Sequence, residues 1–139
     1  MSEVYRYVYF TMIGLAIMAM ISLITMTMII YMDVTLCKKL CDMAALRLSA
    51  LVNYCYSIGN ITVKLDLMNV INRPFELYIV NANTIRIEIP LKYFYYTKIV
   101  KYVRFSNLNI NFTYVGLVPR VSYLYFLKIN GTVYVGVKT

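Results

Sequence analysis

The sequence contains no histidine, so the chain lacks the side chain that proteins use most often as a general base and as a metal ligand. Acidic residues are few: six Asp and Glu stand against fourteen Lys and Arg, and no acid occurs from Ile89 onward. No pair of carboxylates stands out as a general acid and base, and no serine or cysteine has a recognisable base. The composition predicts a protein that is not an enzyme, binds no small-molecule substrate and needs no metal or cofactor.

Charge is absent from residues 7–32, and neither proline nor glycine interrupts residues 15–58. A helix of 26 residues is about 39 Å long, and about 20 apolar residues are enough to cross a bilayer. A cleavable secretory signal has a shorter apolar region that ends at small residues. The segment 7–32 is therefore predicted to be an uncleaved membrane-spanning type of helix.

The helical pattern continues beyond the uncharged run. On a helical wheel, residues 34–58 have an apolar side with Arg47 as its one charge, and a polar side that carries Lys38 and Asp42. Gly59 is a suitable terminator. One helix over residues 1–58 is expected, and its second half needs a partner for its apolar side. The residues predicted to pack helix against helix are Leu36, Leu40, Met43, Leu48, Leu51 and Val52.

Three cysteines, Cys37, Cys41 and Cys55, fall on one edge of this second half. A disulfide between Cys37 and Cys41 within one regular helix would be strained. Two interpretations remain: a disulfide between subunits outside the cell, or three small apolar residues that take part in packing.

From Asn60 the apolar period changes to two, which is typical of half-buried strands. About seven short strands are expected in residues 59–139, including an alternating segment at 85–89. Asn130-Gly131 is a strong signal for a hairpin turn. The predicted fold class is α+β: a long N-terminal hydrophobic helix followed by a small antiparallel β-sandwich or barrel-like domain, here called the β-domain.

The β-domain contains three acceptor patterns for N-glycosylation, at Asn60, Asn111 and Asn130. The charges that flank residues 7–32 are balanced, so the positive-inside rule does not decide the orientation. The acceptor patterns place the β-domain outside the cell. The alternative is that Asn and Thr are simply scattered through turns and strand faces.

The β-domain carries ten basic and three acidic residues, a net charge of +7. A basic surface that includes Lys92, Lys98, Lys101 and Arg104 lies among tyrosines. Such a surface is able to bind acidic polymers or extracellular DNA. A solvated face with aromatic residues in strands has the same composition.

The stretch LSALVNYCYSIGNITVKLDL, in which a helix ends at a glycine and an alternating strand follows, resembles archaeal type IV pilins and archaellum-like filament proteins. NTIRIEI and LKINGTVYVGV are similar to strand segments of such proteins. The resemblance implies a filament whose core is formed by helices and whose β-domains face outward and are often glycosylated. Pilin precursors have a short basic leader, whereas only MSEVYR precedes the apolar run here.

Two functions follow. The first is a structural subunit of a cell-surface filament, used for adhesion, which self-associates through its N-terminal helix into a helical polymer and rests in membrane lipid before assembly. The second is a single-span accessory subunit that stays in the plasma membrane with other membrane subunits and holds its β-domain outside.

Overall fold

A computed structural model shows one long helix followed by two open β-sheets. The residues that it describes are 2–58, 63–65, 71–81, 83–93, 96–105, 110–112, 116–118 and 123–138. The chain divides into two compact units, Met1–Thr35 and Leu36–Thr139.

The helix, α1, runs over Ser2–Ile58. Gly14 is its single glycine, and it contains no proline, so nothing in its sequence breaks the backbone hydrogen-bond ladder. The boundary between the two units lies inside α1, after Thr35. The sequence suggested a boundary at 58/59 because the apolar period changes there. The boundary of the compact units lies earlier, and the second part of α1, Leu36–Ile58, is in the same unit as the sheets.

Eight strands are described, which is one more than the sequence predicted. They are β1 (Val63–Leu65), β2 (Glu76–Asn81), β3 (Thr84–Pro90), β4 (Lys98–Arg104), β5 (Ile110–Phe112), β6 (Gly116–Val118), β7 (Tyr123–Ile129) and β8 (Thr132–Lys138). One sheet has the order β1-β7-β8-β5 and the other the order β4-β3-β2-β6. Neither sheet closes into a barrel within the described ranges. All pairs are antiparallel except β5 with β8.

The expected fold class, a long apolar helix followed by a small antiparallel β-domain, is confirmed. In β3 the alternation predicted at 85–89 places Ile85, Ile87 and Ile89 in the core. The predicted hairpin turn joins β7 to β8 through Asn130 (φ 49°) and Gly131 (φ 80°), with Ile129 opposite Thr132. Two consecutive residues at positive φ are what a two-residue type I′ hairpin loop requires, and Asn-Gly meets that need at low cost.

The core of the second unit is built from one face of each sheet and one side of Leu36–Ile58. Ile85 and Ile87 from one sheet and Phe126, Val133 and Val135 from the other are fully buried. The second part of α1 reaches both sheets, because its side chains meet β4 and β7. These contacts determine which side of the helix is left for other partners.

Candidate functional site

The first unit presents an apolar surface on all sides of its helix. Every residue from 2 to 29 is exposed, and eighteen large apolar or aromatic side chains lie exposed between Tyr7 and Met32. Burial of one such side chain contributes about 1.5–3 kcal/mol, so this segment is stable only when lipid or other helices cover it. The length and composition of α1 are sufficient for a membrane crossing.

Tyrosines lie at both ends of the uncharged run, a signal that is visible in the sequence itself. Tyr5 lies just before the run, Tyr7 and Tyr9 lie in its first residues and Tyr31 lies next to its last residue, and their exposed fractions are 65–76%. Tyr9 and Tyr31 are separated by about 33 Å along the helix axis, close to the roughly 30 Å thickness of a hydrocarbon core. Because a tyrosine ring has an apolar body and a polar tip, it favours the boundary between lipid and water.

Threonine hydroxyls within this run are satisfied inside the helix. Thr11 donates to the carbonyl of Tyr7 at 2.9 Å, and Thr25 donates to that of Ile21 at 2.8 Å. Thr27 reaches the carbonyls of Leu23 and Ile24 at 3.0 and 2.8 Å. These bonds remove the cost of placing an unpaired hydroxyl in an apolar medium.

The second part of α1 packs into its own unit through small side chains. Its buried residues recur at helical spacing, and they are Cys37, Cys41, Ala44, Ala45, Leu48, Val52 and Cys55. Five of these seven side chains are cysteine or alanine, so the inward side of this helix segment is made mainly of small residues. None of the three thiols forms a disulfide and all are buried, an arrangement that favours packing over a disulfide between subunits.

The six residues predicted to pack between helices are divided by this arrangement. Leu48 and Val52 are buried in the chain's own core, and Leu40 and Leu51 are half-buried. Leu36 and Met43 remain exposed, at 48% and 47%. A helical wheel compares hydrophobicity and not side-chain size. It therefore predicted that the leucines, and not the smaller cysteines, lie at the middle of the buried side.

A mainly apolar line of side chains therefore remains exposed or half-buried on the second part of α1. Its members recur every three or four residues along one line of the helix, and they are Leu36, Leu40, Met43, Arg47, Leu51, Tyr54 and Ile58. We call this line the outer helix stripe. Arg47 lies at its middle and is exposed. Such spacing is typical of a surface that meets another helix.

Polar contacts hold the inner side of this helix segment to the β-domain. Asp42 forms an ion pair with Lys101 of β4 at 2.6 Å. Lys128 of β7 donates to the carbonyl of Tyr56 and lies 4.7 Å from the centre of its ring. The last turn of α1 has no basic residue of its own, so Lys128 supplies the cation that favours a helix C-terminus.

Burial changes the acidity of the thiols on the inner side. The pKa of Cys41 rises from 9.0 to about 11, first because burial disfavours the thiolate and then because Cys37 and Asp42 are near. Burial also raises the pKa of Cys55, against the opposing charge of Lys128. The guanidinium of Arg73 donates to the sulfur of Cys37 at 3.4 Å. Thiols that stay protonated are poor nucleophiles and poor metal ligands.

The four predicted basic residues do not form one surface. Lys101 lies on the face of β4 that meets the helix and is paired with Asp42. Lys98 lies on the opposite face, paired with Glu88 at 3.1 Å. Arg104 shares that face and is exposed, whereas Lys92 follows β3 in a loop and is exposed. Two of the four charges therefore have a carboxylate partner within the chain.

The outer face of the sheet β4-β3-β2-β6 carries a buried carboxylate. Among the described residues, Glu88 is the one charged residue that is buried. Arg86 approaches it at 2.8 Å, an ionic contact in which the Nε–H is not aligned with the oxygen. The guanidinium of Arg86 also lies 4.3 Å from the centre of the Tyr78 ring. The cluster joins three strands, because Tyr78, Arg86 and Tyr102 are opposite one another.

The acceptor asparagines of two of the three glycosylation patterns lie in the described part of the chain. Asn111 on β5 and Asn130 in the hairpin turn are both exposed. Asn60 and the predicted helix terminator Gly59 lie outside the described residues. In the described ranges, no three His, Cys, Asp or Glu side chains are grouped so that they could hold a metal ion.

Comparison with known proteins adds no relative. No protein-family model, no curated protein and no solved structure matches the chain. The resemblance to filament proteins stays a prediction, and the functional argument rests on the two surfaces of α1.

Proposed function

We propose that the chain is a structural subunit of a cell-surface filament of the archaeal type IV pilus kind, with α1 in the shared core and the β-domain outside. The observation that carries this proposal is the outer helix stripe. The β-domain covers the cysteine side of Leu36–Ile58 and leaves the stripe open, while residues 2–29 are exposed all round. A bundle of α1 helices from many copies would cover residues 2–29 and the outer helix stripe, both through helix–helix contacts.

In this proposal, lipid covers the first part of α1 before assembly and other copies of α1 replace the lipid afterwards. Glycans at Asn111 and Asn130 and the exposed Arg104 and Lys92 face the surroundings, where they serve attachment. The expected location is the cell surface or an extracellular filament.

Electron microscopy of material sheared from cells, with mass spectrometry of the intact chain in the same fraction, tests the proposal. Thin uniform fibres made of this chain are expected. Met43→Glu places a charge on the outer helix stripe without entering the core, and we expect it to abolish fibres while the protein stays in membranes. Asn53→Glu is the matched control, because Asn53 is exposed on the same helix segment away from the stripe.

The second candidate is a single-span accessory subunit that remains in the bilayer beside other membrane proteins. The observation that favours it is the pair of tyrosine groups, whose separation matches a hydrocarbon core. In that case the chain is recovered only in detergent, together with other subunits, and Met43→Glu releases those subunits. Recovery of this kind, without fibres, would refute the filament.

A further inference from the structure

The four sheet edges differ in length. Within the described ranges, three of the edges, β1, β5 and β6, extend over three residues each, whereas β4 forms the fourth edge with seven. Short edges limit pairing with other chains, and a long flat edge invites it. The pairing of β4 with β3 runs through seven consecutive residue pairs without a bulge. No described residue pairs with the other side of β4.

The backbone groups that face the open side of β4 follow from its hydrogen bonds. Leu91 N donates to the carbonyl of Thr97 at 2.7 Å and Phe105 N to that of Asn83 at 2.9 Å. In an antiparallel ladder, bonded and non-bonded pairs alternate. Odd-numbered residues from 97 to 105 therefore bond to β3. The N–H and C=O groups of Lys98, Val100, Tyr102 and Arg104 point to the open side.

The charges that protect an edge strand against pairing are largely engaged elsewhere. Lysines on an edge usually keep other chains away. Here Lys98 is held by Glu88 and Lys101 by Asp42. What remains on the open strand is Val100 and Tyr102, which favour β-structure, and at one end the positive charge of Arg104, which pairs with no carboxylate among the described residues.

A second β4 strand does not fit this edge. Antiparallel pairing of two β4 strands about their centres would set Lys98 opposite Arg104 twice and Lys101 opposite itself. Like charges that are directly opposite are destabilising. A strand that carries carboxylates at those outer positions would gain from Arg104 and from Lys98, because Glu88 faces two cations, Arg86 and Lys98, and so leaves one positive charge of that cluster unbalanced.

We propose that the open side of β4 binds an extended, carboxylate-bearing segment of another protein and adds it to the sheet as an antiparallel strand. The inference goes beyond the proposed function and applies equally to a filament subunit and to a single-span subunit. It defines a partner by its chemistry: an extended segment with acids about six residues apart, and β-branched residues between them.

The test uses the full chain in detergent micelles and a fluorescent peptide, Glu-Thr-Val-Thr-Val-Thr-Glu, with blocked ends. Read antiparallel, its two acids lie opposite Arg104 and Lys98. We expect saturable binding by fluorescence anisotropy. A peptide with Lys at both ends has the same strand propensity and the opposite charge, and should bind about tenfold or more weakly, a difference of about 1.4 kcal/mol or more.

Val100→Pro removes an N–H group that points to the open side and leaves the hydrogen bonds between β4 and β3 intact. We expect it to weaken binding of the acidic peptide about tenfold or more. Val100→Thr is the matched control and should bind like the wild type. Circular dichroism confirms that each variant is folded. Should Val100→Pro not fold, Arg104→Glu takes its place, and it should lose the acidic peptide and gain the basic one.

Three results of the peptide experiment would overturn the proposal. They are no binding of the acidic peptide to the folded wild type, equal binding of both peptides, and unchanged binding by folded Val100→Pro. Self-association of the wild type that Val100→Pro abolishes would also refute it, because the occupant would then be a second copy.

Discussion

At the scale of single residues, the side of α1 that faces inward is determined by small side chains. Cys37, Cys41 and Ala44 are buried against the chain's own core, whereas the larger Leu36 and Met43 are exposed. The ionisation of Cys41 is also coupled to folding. Its pKa of about 11 in the folded protein exceeds the ordinary 9.0 of an exposed thiol.

Alkaline solution should therefore destabilise the second unit through Cys41. Below pH 9 the thiol is protonated in both states; between pH 9 and about 11 the unfolded thiol loses its proton while the folded one keeps it. The free energy of unfolding should fall over this window by up to about 2–3 kcal/mol more in the wild type than in Cys41→Ala. Urea unfolding at several pH values measures the difference, and parallel pH curves for the two proteins would contradict it.

Glu88 is a second residue with a large expected effect. Its carboxylate is 7% exposed and is balanced by Arg86 and Lys98, which are more exposed. Glu88→Gln removes the charge that both cations face, and should lower stability by about 1–3 kcal/mol. Glu76 lies directly opposite on β2 and is exposed. Glu76→Gln, the control, should change stability by less than about 0.5 kcal/mol, and a larger loss than that of Glu88→Gln would refute this account.

At the scale of secondary-structure elements, local patterns were sufficient for some features and insufficient for others. The alternation in β3 and the Asn130-Gly131 turn could be predicted because both depend on neighbouring residues. The short strand β6 has no alternation to reveal it. The parallel pair β5–β8 joins Ile110 to Val133 across a long sequence distance, and no local signal encodes such a contact. The open edge of β4 likewise depends on strand order.

The contact between Lys128 and the end of α1 is another distant interaction that sequence alone did not predict. Lys128→Met keeps the aliphatic volume and removes the cation at the helix C-terminus, so we expect a loss of about 1 kcal/mol. Thermal or urea unfolding provides the measurement. Lys38→Met changes the same charge at an exposed position on the helix surface. It should have almost no effect, and equal losses for the two variants would argue against the capping role.

At the scale of the whole molecule, α1 has one part that needs an apolar medium and one part that belongs to the folded domain. The difference can be tested with a single charge. Ile21→Arg lies in the uncharged run and should oppose membrane insertion by about 2.5–3.5 kcal/mol. Leu46→Arg changes an exposed apolar residue of the second part and should leave insertion unchanged.

A glycosylation-based insertion assay in microsomes compares the two variants. Equal insertion of Ile21→Arg, Leu46→Arg and the wild type would show that the uncharged run is not the membrane-spanning segment. Reduced insertion of Ile21→Arg alone is the expected result.

The threonines of the apolar run have a consequence for recognition. Thr11, Thr25 and Thr27 donate their hydroxyl protons to carbonyls of their own helix, so these protons are not available to a neighbouring helix. Hydrogen bonds between helices help to give membrane helices a defined register. Apart from Gly14, Ser22 and the aromatic residues, the side chains around them are flexible methionines and aliphatic groups that pack in many ways. Such a surface gives little selectivity among apolar neighbours. In an assembly of the proposed kind, the choice of neighbour and its vertical offset would then be encoded in the outer helix stripe with Arg47 and on the surfaces of the β-domain.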